Sequence, residues 1–422
     1  MEPALTPWQE RLAKPWITGI DPAALWLRWK NRWEELRRSS EALPWLADDP
    51  VETLIALTVC VALGRPILLM HPAWPMGQRV LAETYSRQPV RPGAIGIATG
   101  GSGGGLKLCI HDWTTLESAA KALPAFLNQS CHHAISMLPA SHVSGLMPAL
   151  RAWFTGGTVT FYKPESLLDL TETNLAGRTV SLVPTQLKRL AMQHRLKAWS
   201  GAAAVLVGGG PVADALLDEA RAARLPLCLC YGMTETAAVV AAQHPDDFLA
   251  GESPRLTALP GVTFSTVPPD AQADSLGRIR IESPALCCGY WGGEPRTNPW
   301  WNTDDAGWID AEGRLHLVGR IDGMIITGGE KVDPRRVEAA LLDHPQVNEA
   351  LVLGRDDAEW GQRVVAFYTG MAKPPELRVL LADRLPAYMM PKQMLAVPYL
   401  PLDERGKPDH PRINQLLSDF QP

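Results

Sequence analysis

The sequence contains few cysteines: seven in 422 residues, with no Cys-x-x-Cys pair among them. The only close pairs are Cys228-x-Cys230 and the adjacent Cys287-Cys288. Structural zinc sites and redox motifs usually contain a Cys-x-x-Cys pair, and a disulfide framework usually contains an even number of cysteines. We therefore expect reduced thiols of the kind found in cytoplasmic proteins, with neither a zinc centre nor a disulfide scaffold.

The sequence also lacks a long uninterrupted apolar segment. Its most apolar stretch, 51–70, contains Glu52 and the turn-forming Gly64-Arg65-Pro66. This pattern predicts a buried helix, a turn and a strand rather than a membrane span. Acidic residues, prolines and tryptophans interrupt the first thirty positions, which argues against a signal peptide. We expect a cytoplasmic protein without a transmembrane segment.

Positive charge is not in excess. Lysine and arginine together number 40 against 45 for aspartate and glutamate, so the formal net charge is −5 with histidines neutral. Binding to nucleic acids or anionic membranes usually depends on a broad positive field. The expected partners are therefore small molecules and not nucleic acid, and an anionic substrate must be held by local basic residues.

The length and the pattern of apolar residues indicate a mixed α/β protein of more than one domain. From about 50 to 260, short apolar runs alternate with helical patterns, which is typical of a layered α/β domain with largely parallel strands. Beyond Gly261 a period-two alternation predicts a small β-rich subdomain. The last hundred residues predict an α+β domain. We place a large N-terminal domain at 1–320 and a small C-terminal domain at 321–422.

A glycine-rich stretch, TGGSGGGLK at 99–107, lies between two predicted strands. Glycines allow backbone N–H groups to turn inward around an anion, and the lysine adds a charge that can reach a phosphate oxygen. A flexible linker is the alternative interpretation. The P-loop and dinucleotide-binding patterns both fail, because each requires glycine where Leu106 stands.

The pentapeptide Tyr231-Gly232-Met233-Thr234-Glu235 ends another predicted strand. Ligands of open α/β sheets bind outside the carboxyl ends of the strands. Tyr231 offers an aromatic face for a purine, Thr234 a hydroxyl, and Glu235 an oxygen ligand suited to Mg²⁺. A turn with a solvated glutamate is the alternative.

Together these motifs resemble those of the adenylate-forming acyl-CoA synthetases. The resemblance runs from about residue 90 to the C-terminus and continues, in the order of that family, through Thr303-Asp304-Asp305, Gly319-Arg320-Ile321-Asp322-Gly323, the glycines at 328 and 329, and a final Gly406-Lys407. Two departures are evident: the glycine-rich loop lacks two of the usual hydroxyls, and Asp304 replaces a glycine.

The resemblance implies a large N-terminal domain, a mobile C-terminal domain, and the use of ATP, Mg²⁺ and coenzyme A. It implies that Glu235 binds Mg²⁺ and that the carboxylate of Asp305 binds the ribose hydroxyls. The residues implied in nucleotide binding are Thr99, Gly101, Ser102, Gly104, Lys107, Gly209, Gly210, Tyr231, Gly232, Thr234, Asp305 and Arg320.

The resemblance also implies a two-step reaction in which the C-terminal domain changes position. Lys407 is the implied catalytic lysine, which bridges the acyl carboxylate and the α-phosphate during adenylation. Asp322 is the implied hinge. Gly328 and Gly329 belong to the loop that enters the site for the thioester step, where they allow the backbone to approach the pantetheine chain closely.

Three further segments resemble one branch of this family, the ligases that join 2-succinylbenzoate to coenzyme A in menaquinone and phylloquinone biosynthesis. They are 141–146, 181–187 and 207–211. This resemblance implies a catalytic role for His142 and an acyl-binding role for His142, Arg151 and Gly232. Arg151 is the one cation in an apolar helical run, and the second carboxylate of such a substrate gives a guanidinium a reason to point inward.

Other interpretations stay open from the sequence. Arg151 could instead emerge at the surface of its helix. The protein could be another aryl- or fatty-acyl-CoA ligase of the same family. It could also be a non-catalytic nucleotide-binding relative, although such a relative should have lost at least one of the four residues Lys107, Glu235, Asp305 and Lys407.

Overall fold

The computed structural model describes residues 6–74, 76–99, 106–210, 212–267, 277–321, 323, 325–327, 330–357, 359–402 and 408–419. Over these ranges the chain forms four β-sheets with helices packed against them. This mixed α/β architecture, with a large N-terminal part and a smaller C-terminal part, confirms the predicted fold class.

The first sheet has the strand order β1-β2-β3-β4. Its strands are β1 (Leu43–Leu46), β2 (Ile67–Met70), β3 (Ile95–Thr99) and β4 (Lys107–His111), and helices α3 (Pro50–Leu63) and α4 (Met76–Ser86) precede β2 and β3. The first three strands are parallel, and β4 runs antiparallel to β3 with Thr99 opposite Lys107. The two ends of the glycine-rich stretch are therefore neighbours in the sheet.

The helix, turn and strand predicted for 51–70 are confirmed as α3, Gly64 and β2. The side chain of Asp49 caps the start of α3 by accepting the N–H of Glu52. Gly64 ends the helix with a φ of 65°, a conformation that glycine adopts readily because it lacks a Cβ.

The second sheet has the order β11-β10-β9-β8-β7-β5-β6. Its strands are β5 (Ala134–Ser136), β6 (Val159–Phe161), β7 (Thr179–Leu182), β8 (Ala204–Val207), β9 (Leu227–Met233), β10 (Ala238–Ala242) and β11 (Thr257–Ala258). The helices connecting them are α5 (Trp113–Phe126), α6 (Val143–Thr155), α7 (Glu172–Leu175), α8 (Pro184–Met192), α9 (Asp214–Ala222) and α10 (Pro245–Leu249). Strands β5 to β9 are parallel, so their carboxyl ends meet at one edge.

The third sheet is the β-rich subdomain that the sequence predicts. It is antiparallel throughout and contains β12 (Thr263–Val267), β13 (Gly277–Glu282), β14 (Trp300–Ile309) and β15 (Leu315–Arg320). Residues 268–276, between β12 and β13, lie outside the described residues.

The C-terminal part is built on a fourth sheet. Its strands are β16 (Ile325–Thr327), β17 (Glu330–Val332), β18 (Val347–Asp357), β19 (Gly361–Gly370) and β20 (Gln393–Ala396), and its helices are α11 (Pro334–Leu342), α12 (Pro374–Arg384) and α13 (His410–Asp419). Its two clusters of buried apolar residues contain no residue before Ile325 among those described. The boundary at 320/321 stays a prediction.

The N-terminal helices α1 (Thr6–Leu12) and α2 (Pro22–Leu36) pack through tryptophans. Trp29 is fully buried, and its ring stacks on that of Trp33 with the centres 5.3 Å apart. The guanidinium of Arg11 donates to the carbonyls of Trp153 and Ala152, at 2.8 and 2.9 Å, and so ties α1 to the end of α6. Trp29 also donates its Nε1–H to Oγ1 of Thr58 over 3.1 Å, so α2 packs against α3 through this residue.

All seven cysteines are free thiols, as the sequence predicts. Across the described ranges, none of the helices combines the length and the apolar character needed to cross a bilayer.

Candidate active site

A cavity of about 1160 Å³ lies at the carboxyl ends of β8 and β9, between the large N-terminal part and α11. Four separate segments bring predicted nucleotide- and metal-binding residues to its wall. These residues are Thr99, Lys107, Gly209, Gly210, Tyr231, Gly232, Glu235 and Asp305. Their convergence at the end of a parallel sheet is the arrangement typical of ligand sites in α/β proteins.

Asp305 is oriented by hydrogen bonds from two sides. The hydroxyl of Tyr231, near the end of β9, donates to Oδ2 of Asp305 over 2.7 Å. The backbone N–H of Asp305 donates to Oγ1 of Thr303 over 3.1 Å, and that hydroxyl donates to the carbonyl of Ile279 over 2.8 Å. A carboxylate held in this way is suited to accepting hydrogen bonds from the vicinal hydroxyls of a sugar.

The turn that carries Glu235 has a constrained backbone. A Cβ at Gly232 would collide with the carbonyl oxygen of Ala238 on β10, so only glycine fits this close approach. Ala237 and Ala238 have φ values of 50° and 84°, which residues with a side chain rarely adopt. Strain of this kind is found mainly at functional sites, where the surrounding structure stabilises it.

Glu235 is only 7% exposed, and both its side chain and its backbone are held. Its Oε1 accepts the hydroxyl of Tyr290 over 2.8 Å, and its carbonyl accepts the N–H of Cys287 over the same distance. Burial and the adjacent carboxylate raise the pKa of Tyr290, so the phenol stays protonated and donates. The structure therefore places a carboxylate in the cavity wall with a fixed orientation.

The neighbouring Thr234 is held through its backbone. The ring of His111, which is fully buried, donates from Nε2 to the carbonyl of Thr234 over 2.7 Å. Burial lowers the pKa of His111 to about 4, so the ring is neutral at pH 7. Thr234 itself lies outside the lining of the cavity.

Lys107 begins β4 and lies beside an aromatic pair. Its ammonium is 6.0 Å from the centre of the Tyr290 ring. That ring in turn meets Trp301 of β14 edge-on, with the ring centres 5.8 Å apart. All three side chains line the cavity, so one positive charge and two aromatic faces are present next to Glu235.

His142 and Arg151, which were predicted to bind the acyl substrate, lie outside the lining of this cavity. His142 immediately precedes α6, and its ring lies 5.2 Å from that of His71, which follows β2. Burial, together with the positive charge that His71 can carry, lowers the pKa of His142. This histidine is therefore neutral at pH 7.

Arg151 is 2% exposed, and its Nε has no hydrogen-bond partner among the described residues. The interpretation in which it emerges at the helix surface is therefore wrong. Burial lowers its pKa to about 10, so the guanidinium is charged at pH 7. Its neighbours include the thiols of Cys228 and Cys230, whose sulfurs are 3.9 Å apart, and Cys230 also belongs to the cavity wall.

Several predicted site residues lie outside the described residues: Gly101, Ser102, Gly104, Asp322, Gly328, Gly329 and Lys407. The backbone of Arg320 ends β15 opposite Asp305, while its side chain is not among those described.

Sequence reasoning missed the aromatic residues of the cavity, namely Tyr290, Trp301 and Trp308. It also missed the contribution of α11, which lines the opposite wall with Arg335 and Arg336. Trp301 and Trp308 flank the motif at 303–305 on β14 but belong to no motif themselves, and neither do Tyr290 and the two arginines of α11. The only local signal for Tyr290 is the preceding glycine, and a single glycine is too common to indicate a site.

The donors in the cavity fit a magnesium nucleotide. A lysine suits phosphate, Asp305 suits ribose, and Glu235 offers the hard oxygen that Mg²⁺ prefers. Within the described ranges, no group of three or more histidine, cysteine, aspartate or glutamate residues converges as a metal site. Nucleotide-bound Mg²⁺ usually takes one or two carboxylates and completes its shell with phosphate and water oxygens, so one carboxylate is consistent with such a site.

Two family models cover this architecture. The model described as "AMP-binding enzyme" matches residues 80–291, which include the cavity-lining residues Lys107, Tyr231 and Glu235. The chain belongs to the AMP-binding enzyme family. A second model, "AMP-binding enzyme C-terminal domain", matches residues 336–407.

Relatives of this family member include 2-succinylbenzoate–CoA ligases. The chain is 30% identical to the ligase of Listeria monocytogenes serotype 4b over 291 residues, which are 67% of this chain and 61% of that ligase. It is 31% identical to the ligase of Bacillus velezensis over 291 residues, 66% of this chain and 59% of that ligase. The chain thus spans about three-fifths of the length of these relatives.

Solved structures share the fold. The o-succinylbenzoate CoA synthetase (MenE) of Bacillus subtilis, in complex with the acyl-adenylate intermediate OSB-AMP, superposes with a TM-score of 0.80 at 21% identity, covering 96% of this chain and 97% of that one. The amide bond synthetase McbA of Marinactinospora thermotolerans gives a TM-score of 0.81 at 21% identity, covering 98% and 100%. At these identities the likeness shows the fold alone.

Proposed function

We propose that this AMP-binding enzyme ligates 2-succinylbenzoate to coenzyme A through an acyl-adenylate, at the expense of ATP, in menaquinone or phylloquinone biosynthesis. The observation that carries the proposal is the convergence of Lys107, Glu235 and Asp305 on one cavity. The choice of acid is supported by the 30–31% identity to ligases named for that substrate. It is also supported by the buried Nε of Arg151, which has no hydrogen-bond partner within the part of the chain that the structure describes.

ATP would lie in the cavity with its ribose at Asp305 and its phosphates at Lys107. Gly209, Gly210 and Tyr231 would contact the base, and the loop residues Thr99, Gly101, Ser102 and Gly104 would donate to the phosphates, with Arg320 and Thr234 nearby. Glu235 would hold Mg²⁺, which supplies neutralisation of phosphate charge when bound. Because Tyr231 and Thr303 already orient Asp305, ribose binding requires little reorganisation of this carboxylate.

The acyl substrate would lie between Gly232 and α6, next to His142. One carboxylate attacks the α-phosphorus; a C–O–P bond forms and the bond to pyrophosphate breaks. The other carboxylate remains charged. Placing it in an apolar pocket costs roughly several kcal/mol unless a positively charged group pairs with it. Arg151 would pair with it through two parallel hydrogen bonds, the geometry that a guanidinium favours.

The C-terminal residues 321–422 would complete both half-reactions as a mobile domain. Lys407 would stabilise the charge that develops during adenylation. Rotation about Asp322 would then withdraw Lys407 and bring in Gly328 and Gly329, after which the coenzyme A thiolate attacks the mixed anhydride and AMP leaves. A separate apolar core in this part and the position of α11 on the cavity wall support this division.

The proposal is tested by pyrophosphate release with ATP, Mg²⁺ and one carboxylic acid at a time. The panel contains 2-succinylbenzoate, benzoate, an arylpropionate and a medium-chain fatty acid. We expect the highest kcat/KM with 2-succinylbenzoate. A higher value for another acid would favour an aryl- or fatty-acyl-CoA ligase, and nucleotide binding without turnover of any acid would favour a non-catalytic relative.

A further inference from the structure

Tyr290 contacts both oppositely charged side chains of the cavity wall. Its hydroxyl donates to Oε1 of Glu235 over 2.8 Å, and the ammonium of Lys107 lies 6.0 Å from the centre of its ring. The edge of Trp301 meets the same ring at 5.8 Å. One side chain thus links the ammonium of Lys107 to the carboxylate of Glu235.

The backbone around Tyr290 is fixed by an isolated antiparallel bridge to β4. The N–H of Ile110 donates to the carbonyl of Gly289 over 2.9 Å, and Tyr290 lies opposite Cys109 in an antiparallel bridge. The preceding Cys287 donates its N–H to the carbonyl of Glu235 over 2.8 Å. The ring is thus anchored to the strand of Lys107 on one side and to the turn of Glu235 on the other.

An ammonium and a carboxylate that line the same cavity attract each other, and a direct ion pair would engage both groups. In the part of the chain that the structure describes, Lys107 and Glu235 form no such pair. The Tyr290 ring is the contact that Lys107 makes instead, and a cation over an aromatic face is a favourable arrangement. The hydroxyl meanwhile donates to Oε1 of Glu235 and does not occupy Oε2.

We propose that Tyr290 is a positioning residue for the metal–nucleotide complex: its hydroxyl orients Glu235 toward Mg²⁺, and its ring keeps Lys107 from pairing with Glu235. Lys107 then stays available to a phosphate. This inference rests on the proposed function, because it requires that the cavity bind a magnesium nucleotide.

The test measures metal binding directly, without turnover. Mn²⁺ replaces Mg²⁺ as a spectroscopic probe, and its dissociation constant is measured by electron paramagnetic resonance in the presence of α,β-methylene-ATP. Tyr290→Phe keeps the ring and removes the hydroxyl, so we expect Mn²⁺ affinity to fall roughly tenfold, as for loss of a hydrogen bond to a charged group. Calorimetric affinity for the metal-free nucleotide should change less than about twofold, because Lys107 keeps its aromatic contact.

A double-mutant cycle separates positioning from general packing. If Tyr290 acts through Glu235, adding Tyr290→Phe to Glu235→Gln should weaken Mn²⁺ binding no further than Glu235→Gln alone. Glu235→Asp keeps the charge but draws the carboxylate away from the Tyr290 hydroxyl, so its affinity for Mn²⁺ should also fall roughly tenfold. Unchanged Mn²⁺ affinity in either Tyr290→Phe or Glu235→Asp, or fully multiplicative losses in the cycle, would overturn the inference.

Two further variants serve as ring test and control. Tyr290→Leu removes the aromatic face, and Lys107 is then free to pair with Glu235. The affinity for metal-free nucleotide should therefore fall at least about fivefold. An affinity equal to that of the wild type would overturn the role of the ring. Tyr162→Phe removes a half-buried hydroxyl near Asn174, outside the cavity lining, and should leave every value unchanged. Absence of Mn²⁺–nucleotide binding in the wild type would instead contradict the proposed function.

Discussion

Replacing Arg151 by methionine should raise stability and at the same time remove substrate preference. The guanidinium is 2% exposed, and burial lowers its pKa from 12.5 to about 10. At about 1.4 kcal/mol per pKa unit, this lowering corresponds to roughly 3 kcal/mol against the charged form in the folded protein. The pKa of Arg151 is lower in the folded protein than in the unfolded protein. The free-energy cost of burying the charge is therefore fully present below about pH 10 and decreases only as the pH rises above that value.

Methionine fills a similar volume without a charge. Arg151→Met should therefore raise the free energy of unfolding of the ligand-free protein by about 1–3 kcal/mol at pH 7, measured by urea denaturation. The same variant leaves the second carboxylate of the substrate without a partner, so kcat/KM for 2-succinylbenzoate should fall by on the order of 30- to 5,000-fold, the equivalent of about 2–5 kcal/mol. The kcat/KM for benzoate, which lacks that carboxylate, should fall less than about threefold.

Arg11 provides the matched control. Burial lowers its pKa to about 10 as well, but its guanidinium donates to the carbonyls of Ala152 and Trp153. Arg11→Met should therefore reduce the free energy of unfolding by roughly 1–3 kcal/mol, because buried carbonyls lose their donors. The reasoning is refuted if Arg151→Met destabilises the protein as Arg11→Met does, and if kcat/KM falls equally for 2-succinylbenzoate and benzoate. Arg151 would then be a structural residue.

Four other substitutions test the remaining parts of the site. Glu235→Gln removes a negative charge with little change of shape, so the Mg²⁺ concentration for half-maximal pyrophosphate release should rise at least about tenfold; an unchanged value would make Glu235 a turn residue only. Lys407→Ala should reduce the rate of adenylation by on the order of 10²–10³ and spare thioester formation from supplied adenylate. Asp322→Pro should instead impair thioester formation and spare adenylation, because a fixed φ impedes rotation of the domain. Equal losses in both half-reactions would contradict the domain assignment. Burial lowers the pKa of His111 from 6.5 to about 4, so between these pH values the unfolded protein binds more protons than the folded protein. The free energy of unfolding should therefore fall by up to about 3 kcal/mol as the pH is lowered from 6.5 to 4. His111→Gln should flatten this pH dependence in urea denaturation, and the same dependence in wild type and variant would show that His111 does not contribute.

The sequence predicts those parts of the site that depend on local chain geometry. The strands on both sides of the glycine-rich stretch form β3 and β4, and Glu235 follows β9 as the pentapeptide indicates. Local residue types determine these features: β-type apolar runs, glycines that permit turns, and polar residues directly after a strand. The antiparallel subdomain is recognised for the same reason, from the period-two alternation of β13.

The contacts that complete the site depend on tertiary packing and are not visible in local patterns. Tyr290 reaches Glu235 across 55 residues of sequence, and Tyr231 reaches Asp305 across 74. Neither separation follows from a periodicity. The burial of Arg151 is likewise decided by α5 and the parallel sheet, which pack around α6, so a helical pattern alone left both an inward and an outward orientation open.

The most direct test of the central claim is single-turnover analysis of the wild-type protein by mass spectrometry. The protein is mixed with ATP, Mg²⁺ and 2-succinylbenzoate, first without and then with coenzyme A. The account predicts that 2-succinylbenzoyl-AMP and pyrophosphate accumulate without coenzyme A, and that its addition converts the adenylate into the thioester with release of AMP. Formation of ADP instead of AMP, or no adenylate from this acid while another acid of the panel forms one, would contradict it.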